Sequence, residues 1–219
     1  MDTDKKTVRI YGTAANLART PPPSSKGVEV WLCNGILAYQ RRLPVSMQEW
    51  TRWFNLHSRE HMIKTYPDSY NFYRKHANGR PIYLQKVQPD IPTSVEFPRK
   101  EIQEYFATAK RPNRFFTCSA CWMIALAIME GFDRIELWGF ELRDNKRNPG
   151  ECFKFERPAF FYWVKQARDR GIVVTLTKEA EALPFLPGDP DNYTGLLYGY
   201  STKAELDWDI ATESFKELT

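Results

Sequence analysis

From Cys121 to Met129 the chain reads CWMIALAIM, a run with no polar side chain on any face of a helix. A surface helix keeps a polar stripe, so a helix of this composition has to be buried on all sides. The run is far short of membrane-spanning length, which places it inside a globular core. Glu130 and Gly131 close it with a C-terminal helix signal. Ile135, Leu137 and Trp138 then follow in a short segment bounded by Asp133 and Gly139, the form of an inner strand. A buried helix feeding a buried strand through a glycine turn is half of an α/β layer. Thr117, Cys118 and Ser119 precede the helix and are residues of the kind that cap a helix start. Free N–H groups there, backed by the helix dipole, form a natural anion site.

The rest of the chain repeats the alternation. Strands are expected at Val8–Gly12, Val28–Cys33, Trp50–Leu56, Arg80–Gln85, Arg134–Phe140 and Ile172–Leu176. Helices are expected within Glu60–Lys75, broken in two by Pro67, over Arg99–Phe106 behind Pro98, and over Phe155–Arg170, with Phe161, Val164 and Ala167 on one stripe. The strands are too apolar for a one-sided sheet. The expectation is a single α/β domain over residues 1–200, with a mostly parallel, doubly wound sheet. A turn-rich tract from Pro184 leads into a tail over residues 201–219. Ligands of open α/β sheets bind outside the carboxyl ends of the strands, which here gathers Gly12, Asn34, His57, Ser119 and Glu141.

The 219 residues suffice for a core without disulfides or structural metal, and four cysteines do not make a disulfide framework. A net charge of +4 is too mild to argue for nucleic acid, while anionic small molecules remain welcome. The opening MDTDKKTVRIYG has no signal-peptide core and no apolar run reaches spanning length, so a cytoplasmic protein without a membrane partner is expected.

GTAANL after the first strand, VWLCNG at the second and TCSACWMIALAIMEGFDRIELWGFEL later resemble, in that order, the small bacterial sialyltransferases that cap lipooligosaccharides. The chain is also similar to the related Rossmann-like family that includes archaeal pterin diphosphokinases. Phage proteins of that type look nearest, sharing the ELWGF segment, Glu156-Arg157-Pro158 and the LYGY ending at Tyr200; a phage origin would imply the host cytoplasm. The resemblance covers about half of the chain. It implies a Rossmann-like fold and a glycosyltransferase-like transferase, with a nucleotide or nucleotide-sugar as substrate rather than cofactor. By position, Gly12, Thr13 and Asn34 would line the nucleotide pocket, and Ser119 would meet the phosphate or the transferred group. Thr13 stands where the sialyltransferases have asparagine, and His57, His61 and His76 all precede the place of their late general-base histidine.

For the chemistry itself, His57 at a strand end is a candidate general base, its alternative being a hydrogen-bonded structural histidine. His57 and His61 lie four apart, but H-S-R-E-H is not the H-E-x-x-H zinc pattern, and no metal site is expected. Glu141, after the inner strand, is the candidate carboxylate base, with Asp144 and Glu156 as others. Arg157 suits a phosphate through its bidentate fork, or else belongs to a solvated helix start. Cys118-Ser-Ala-Cys121 at a helix start is the setting of a redox dithiol. Three functions follow: a nucleotide-dependent transferase; a phage accessory or interaction protein that keeps the pocket without chemistry; and a thiol oxidoreductase. Neither the acceptor nor the oligomeric state is specified by the residues.

Overall fold

The computed structural model describes residues 5–13, 27–39, 45–76, 78–107, 115–140, 142 and 156–177. Its strands are β1 (Thr7–Tyr11), β2 (Val28–Cys33), β3 (Arg52–Asn55), β4 (Ile82–Leu84), β5 (Ser94–Glu96), β6 (Arg134–Trp138) and β7 (Val173–Leu176). They form one sheet in the order β5-β4-β3-β2-β1-β6-β7, and every pairing is parallel. The chain adds strands outward from β1 on one side and returns to β1's other flank with β6. The sheet is therefore doubly wound and Rossmann-like, with its topological switch between β1 and β6.

Both sheet faces are covered, which explains why the strands carry apolar residues on both sides. Successive side chains alternate between two cores. Val8, Ile10, Trp31, Cys33, Phe54, Leu56, Ile135 and Leu137 share one core with α5 (Arg99–Phe106), α6 (Ser119–Met129) and α7 (Arg157–Asp169). Tyr11, Val30, Leu32, Trp53, Ile82 and Leu84 face the other, with residues of α3 (Arg59–Thr65) and α4 (Pro67–His76). The all-apolar helix is α6, buried from Ser119 through Ile128. Gly131 ends it at φ 72°, in the left-handed region where a side chain is strained.

Several boundaries differ from expectation. Trp50 lies before β3 rather than in it, and packs edge-on to Trp53 at 5.5 Å. The buried stripe of α7 is Ala159, Phe160, Trp163, Val164 and Ala167, with Phe161 at its margin. Pro98 is the N-cap of α5, with no side-chain cap bond, rather than its first residue. The four-residue helices α1 (Ile36–Tyr39) and α2 (Val45–Gln48), and the short strand β5, have no counterpart in the sequence pattern. Glu141, Asp144, residues 14–26, the Pro184 tract and the tail at 201–219 lie outside the described residues. No helix among the described residues is long and apolar enough to cross a membrane.

Candidate functional site

The site is built where β2 ends. Parallel pairing with β3 continues one residue past β2, through Asn34 N–H donating to the Phe54 carbonyl at 2.7 Å. Asn34 then turns the chain at φ 51°, a left-handed conformation that asparagine tolerates better than most residues. Its carbonyl accepts from Trp53 Nε1 at 2.8 Å and from the Tyr73 hydroxyl at 3.2 Å. With its backbone held, its side chain is aimed, and Asn34 Oδ1 accepts from the Ser119 hydroxyl at 2.9 Å. Two residues 85 positions apart in sequence thus meet at the carboxyl edge of the sheet.

Ser119 is the first residue of α6, behind an extended N-cap, Cys118, that makes no side-chain cap bond. Ser119 was expected among the helix caps; its hydroxyl instead bridges outward to Asn34. The segment delivering it is strained. Phe115 sits at φ 74°, unusual for a bulky residue, and is held by stacking on Tyr162 at 4.0 Å and by Trp163 Nε1 donating to its carbonyl at 2.8 Å.

Gly12 follows β1 at the switch point. Its N–H donates to the Trp138 carbonyl at 2.7 Å, so β1 and β6 stay paired to the end. A Cβ on Gly12 would stand 2.5 Å from the Gly139 carbonyl oxygen and 2.7 Å from the Phe140 ring. The glycine therefore serves the close approach of β1 and β6, and its N–H is taken. Thr13 follows it, half-buried.

His57 stands beyond the end of β3, its backbone joined to that of Asn34 through the side chains of Asn55 and Tyr73, a link that sequence reasoning missed. The His57 backbone N–H donates to Asn55 Oδ1 at 3.4 Å, Asn55 Nδ2 donates to the Tyr73 hydroxyl at 3.3 Å, and Tyr73 donates to the Asn34 backbone carbonyl. Asn55 and Tyr73 are buried, and burial holds the Tyr73 phenol well above its ordinary range. The one available signal was a polar Asn55 directly after the apolar Trp53 and Phe54. Burial, and then the neighbouring His61, pull the His57 pKa down to about 4, so its ring is neutral at pH 7.

Arg157 opens α7 and is almost wholly buried rather than solvated, and that burial lowers its pKa. Its neighbour Glu156, the N-cap of α7, lies close enough for its charge to raise the Cys33 and Cys118 thiols. The start of α7 is thus at the same edge as Ser119. The opposite edge carries the structural ion pairs of Arg52 with Glu29 at 2.9 Å and Glu130 at 2.7 Å.

Cys118 Sγ and Cys121 Sγ approach to 3.3 Å, both buried. The contact with Cys121, together with burial, raises the Cys118 pKa, the reverse of the lowered value that activates a redox thiol. No group of three or more metal-ligating side chains occurs among the described residues.

No protein-family model and no curated protein matches the sequence. Among solved structures, the chain is similar to the sialyltransferase CstII from Campylobacter jejuni. With the substrate analogue cytidine-5'-monophosphate bound, that structure shows 16% identity and a TM-score of 0.49, over 93% of this chain and 98% of that one. With CMP-3FNeuAc the values are 13% and 0.47, over 94% and 99%. A superposition this loose carries no weight for the chemistry, and the strand order and side chains stand on their own.

Proposed function

We propose that this chain binds a nucleotide, most fittingly a nucleotide-sugar, at the carboxyl edge of its sheet and transfers the group it carries to an acceptor hydroxyl. The observation that carries the reading is the Asn34–Ser119 hydrogen bond at 2.9 Å. It ties a strand end to the N-terminus of a buried helix beside the switch point, where α/β sheets take ligands.

In this reading Gly12, Thr13 and Asn34 line the nucleotide pocket, and the leaving phosphate settles at the start of α6. The Ser119 hydroxyl and the helix N–H groups stabilise the charge that develops there. Arg157 supplies a cation from the start of α7. The acceptor oxygen forms its bond to the transferred carbon as the bond from that carbon to the phosphate oxygen breaks. The acceptor proton passes to His57 or to Glu141. A neutral imidazole with a pKa of about 4 is a base of carboxylate strength, available at pH 7 without first losing a proton.

A thermal-shift panel of nucleotides and nucleotide-sugars tests this, run beside Asn34→Ala and Ser119→Ala. A ligand at a hundredfold its Kd adds about 2.7 kcal/mol, or roughly 5 to 10 °C for a chain of this length. A selective shift lost in both variants supports the site, and no shift with any nucleotide overturns it. Slow hydrolysis of the selected donor, diminished in Glu141→Gln or His57→Gln, separates the transferase from a pocket-bearing interaction protein.

A further inference from the structure

Of the non-glycine residues with a positive φ among those described, two stand on the chain segments that meet in the Asn34–Ser119 contact. Asn34 takes that conformation readily. Phe115, at φ 74°, does not, because its Cβ crowds the backbone and it has no polar group to compensate. Strain of this kind persists only where the surroundings over-determine it. Around Phe115 they do. Its ring stacks on Tyr162 of α7 at 4.0 Å and 18°, and Trp163 of the same helix donates its Nε1–H to the Phe115 carbonyl at 2.8 Å. Phe116 grips both helices, stacking on Trp122 of α6 at 3.8 Å and 13° and lying tilted to Trp163 at 4.8 Å. Every residue from Phe115 to Ser119 is buried. The start of α6 is not fixed by its own cap residue, since Cys118 makes no side-chain cap bond. The aromatic grip on residues 115 and 116 does that work from outside the helix.

We propose that Phe115 and Tyr162 are positioning residues, a stacked latch that ties the segment from 115 to 118 to α7 and so sets the Ser119 hydroxyl on Asn34. The proposal rests on the transferase reading for the use of the site, in which Ser119 on α6 and Arg157 on α7 serve one phosphate. Tyr162 and Arg157 lie on the same helix, so a latch on Tyr162 holds the starts of α6 and α7 in one register. Neither ring has to touch the ligand. A binding group misplaced by about an ångström already loses much of its effect. Tyr162 is only half-buried, so replacing it opens the latch without hollowing the core.

Alkylation by N-ethylmaleimide at pH 8, with the modified peptides identified by mass spectrometry, reads the latch without any ligand. Cys118 ends the latched segment, whereas Cys33 is held in β2. In the parent the two thiols are expected to react together, through opening of the whole core. In Tyr162→Leu, Cys118 is expected to run roughly three- to tenfold ahead of Cys33, the worth of one lost ring stack. Tyr162→Phe keeps the stack and the parent order. A side chain that merely fills the core would speed both thiols equally, and that result overturns the latch. If Tyr162→Leu does not fold, Phe115→Gly carries the same comparison, because glycine takes φ 74° without strain and lacks the ring. CMP, UMP, AMP, GMP, UDP-glucose and GDP-mannose are then compared by thermal shift. A nucleotide that stabilises the parent is expected to bind Tyr162→Leu roughly three- to tenfold more weakly and Tyr162→Phe as before. Unchanged affinity in Tyr162→Leu overturns the positioning role. If no nucleotide stabilises the parent, the donor reading fails and the labelling order alone decides the latch.

Discussion

His57 ties the site to stability through its protons. Burial and His61 bring its pKa from the ordinary 6.5 to about 4, so between those values the unfolded chain is protonated where the folded chain is not. Stability from this group is complete above pH 6.5 and falls as the pH drops toward 4. At pH 5 the loss is about 2 kcal/mol. Urea denaturation at pH 7.5 and pH 5 is expected to show it, and His57→Gln should flatten the difference by that amount. Equal pH dependence in the two proteins would show that the folded imidazole titrates normally. Asn34 separates backbone from side chain in a similar way. Glycine takes φ 51° without strain, whereas a β-branched side chain does not. Asn34→Gly is therefore expected to fold yet lose the Ser119 contact and the nucleotide shift, with Asn34→Val about 1–2 kcal/mol less stable still by denaturation midpoint. An Asn34→Val variant as stable as Asn34→Gly would mean that the turn adapts.

At the scale of elements, the site depends on β1 and β6 staying paired to their ends. Gly12→Ala places a methyl group 2.5 Å from the Gly139 carbonyl oxygen, a backbone atom with little room to yield. It is expected to cost about 1–3 kcal/mol, as overpacking does, and to weaken nucleotide binding by parting the strands at the switch. Unchanged stability would place the glycine there for some other reason. The strands that carry the site were legible because two-sided burial makes them largely apolar on both faces, and α6 because no surface helix has its composition. β5 was not legible: three residues, Ser94 to Glu96, with Val95 and Glu96 exposed, carry no hydrophobic period. Helices of four residues, such as α1 and α2, are too short to display one. Ser119 was legible as a polar residue opening a buried helix. Its hydrogen bond to Asn34 was not, because the partner lies 85 residues away and only the strand order brings the two together.

Across the whole molecule the same distinction holds. The edge that gathers Asn34, His57 and Ser119 follows from alternating strands and helices. The path from His57 through Asn55 and Tyr73 to Asn34 depends on side-chain directions that no local pattern encodes. Cysteine chemistry also changes with the folded context. C-x-x-C at a helix start reads as a redox dithiol, but the fold seats Cys118 and Cys121 in the main core, with Cys33 of β2 in the same cluster. Burial raises the Cys33 thiol, and Cys118 is raised by Cys121 as well as by burial. A thiol in this position reacts only when the core opens, and its labelling then reports the free energy of that opening. In a Cys152→Ser protein, which leaves these three cysteines, a disulfide reagent at pH 8 is expected to label all three together, roughly a thousandfold or more slower than in urea, in line with a stability of at least 5 kcal/mol. The rate should rise with denaturant in step with global unfolding. Rapid labelling of Cys118 alone below neutral pH would instead require a stabilised thiolate near the surface of the site. That result would overturn the structural assignment of the pair and favour the thiol oxidoreductase reading.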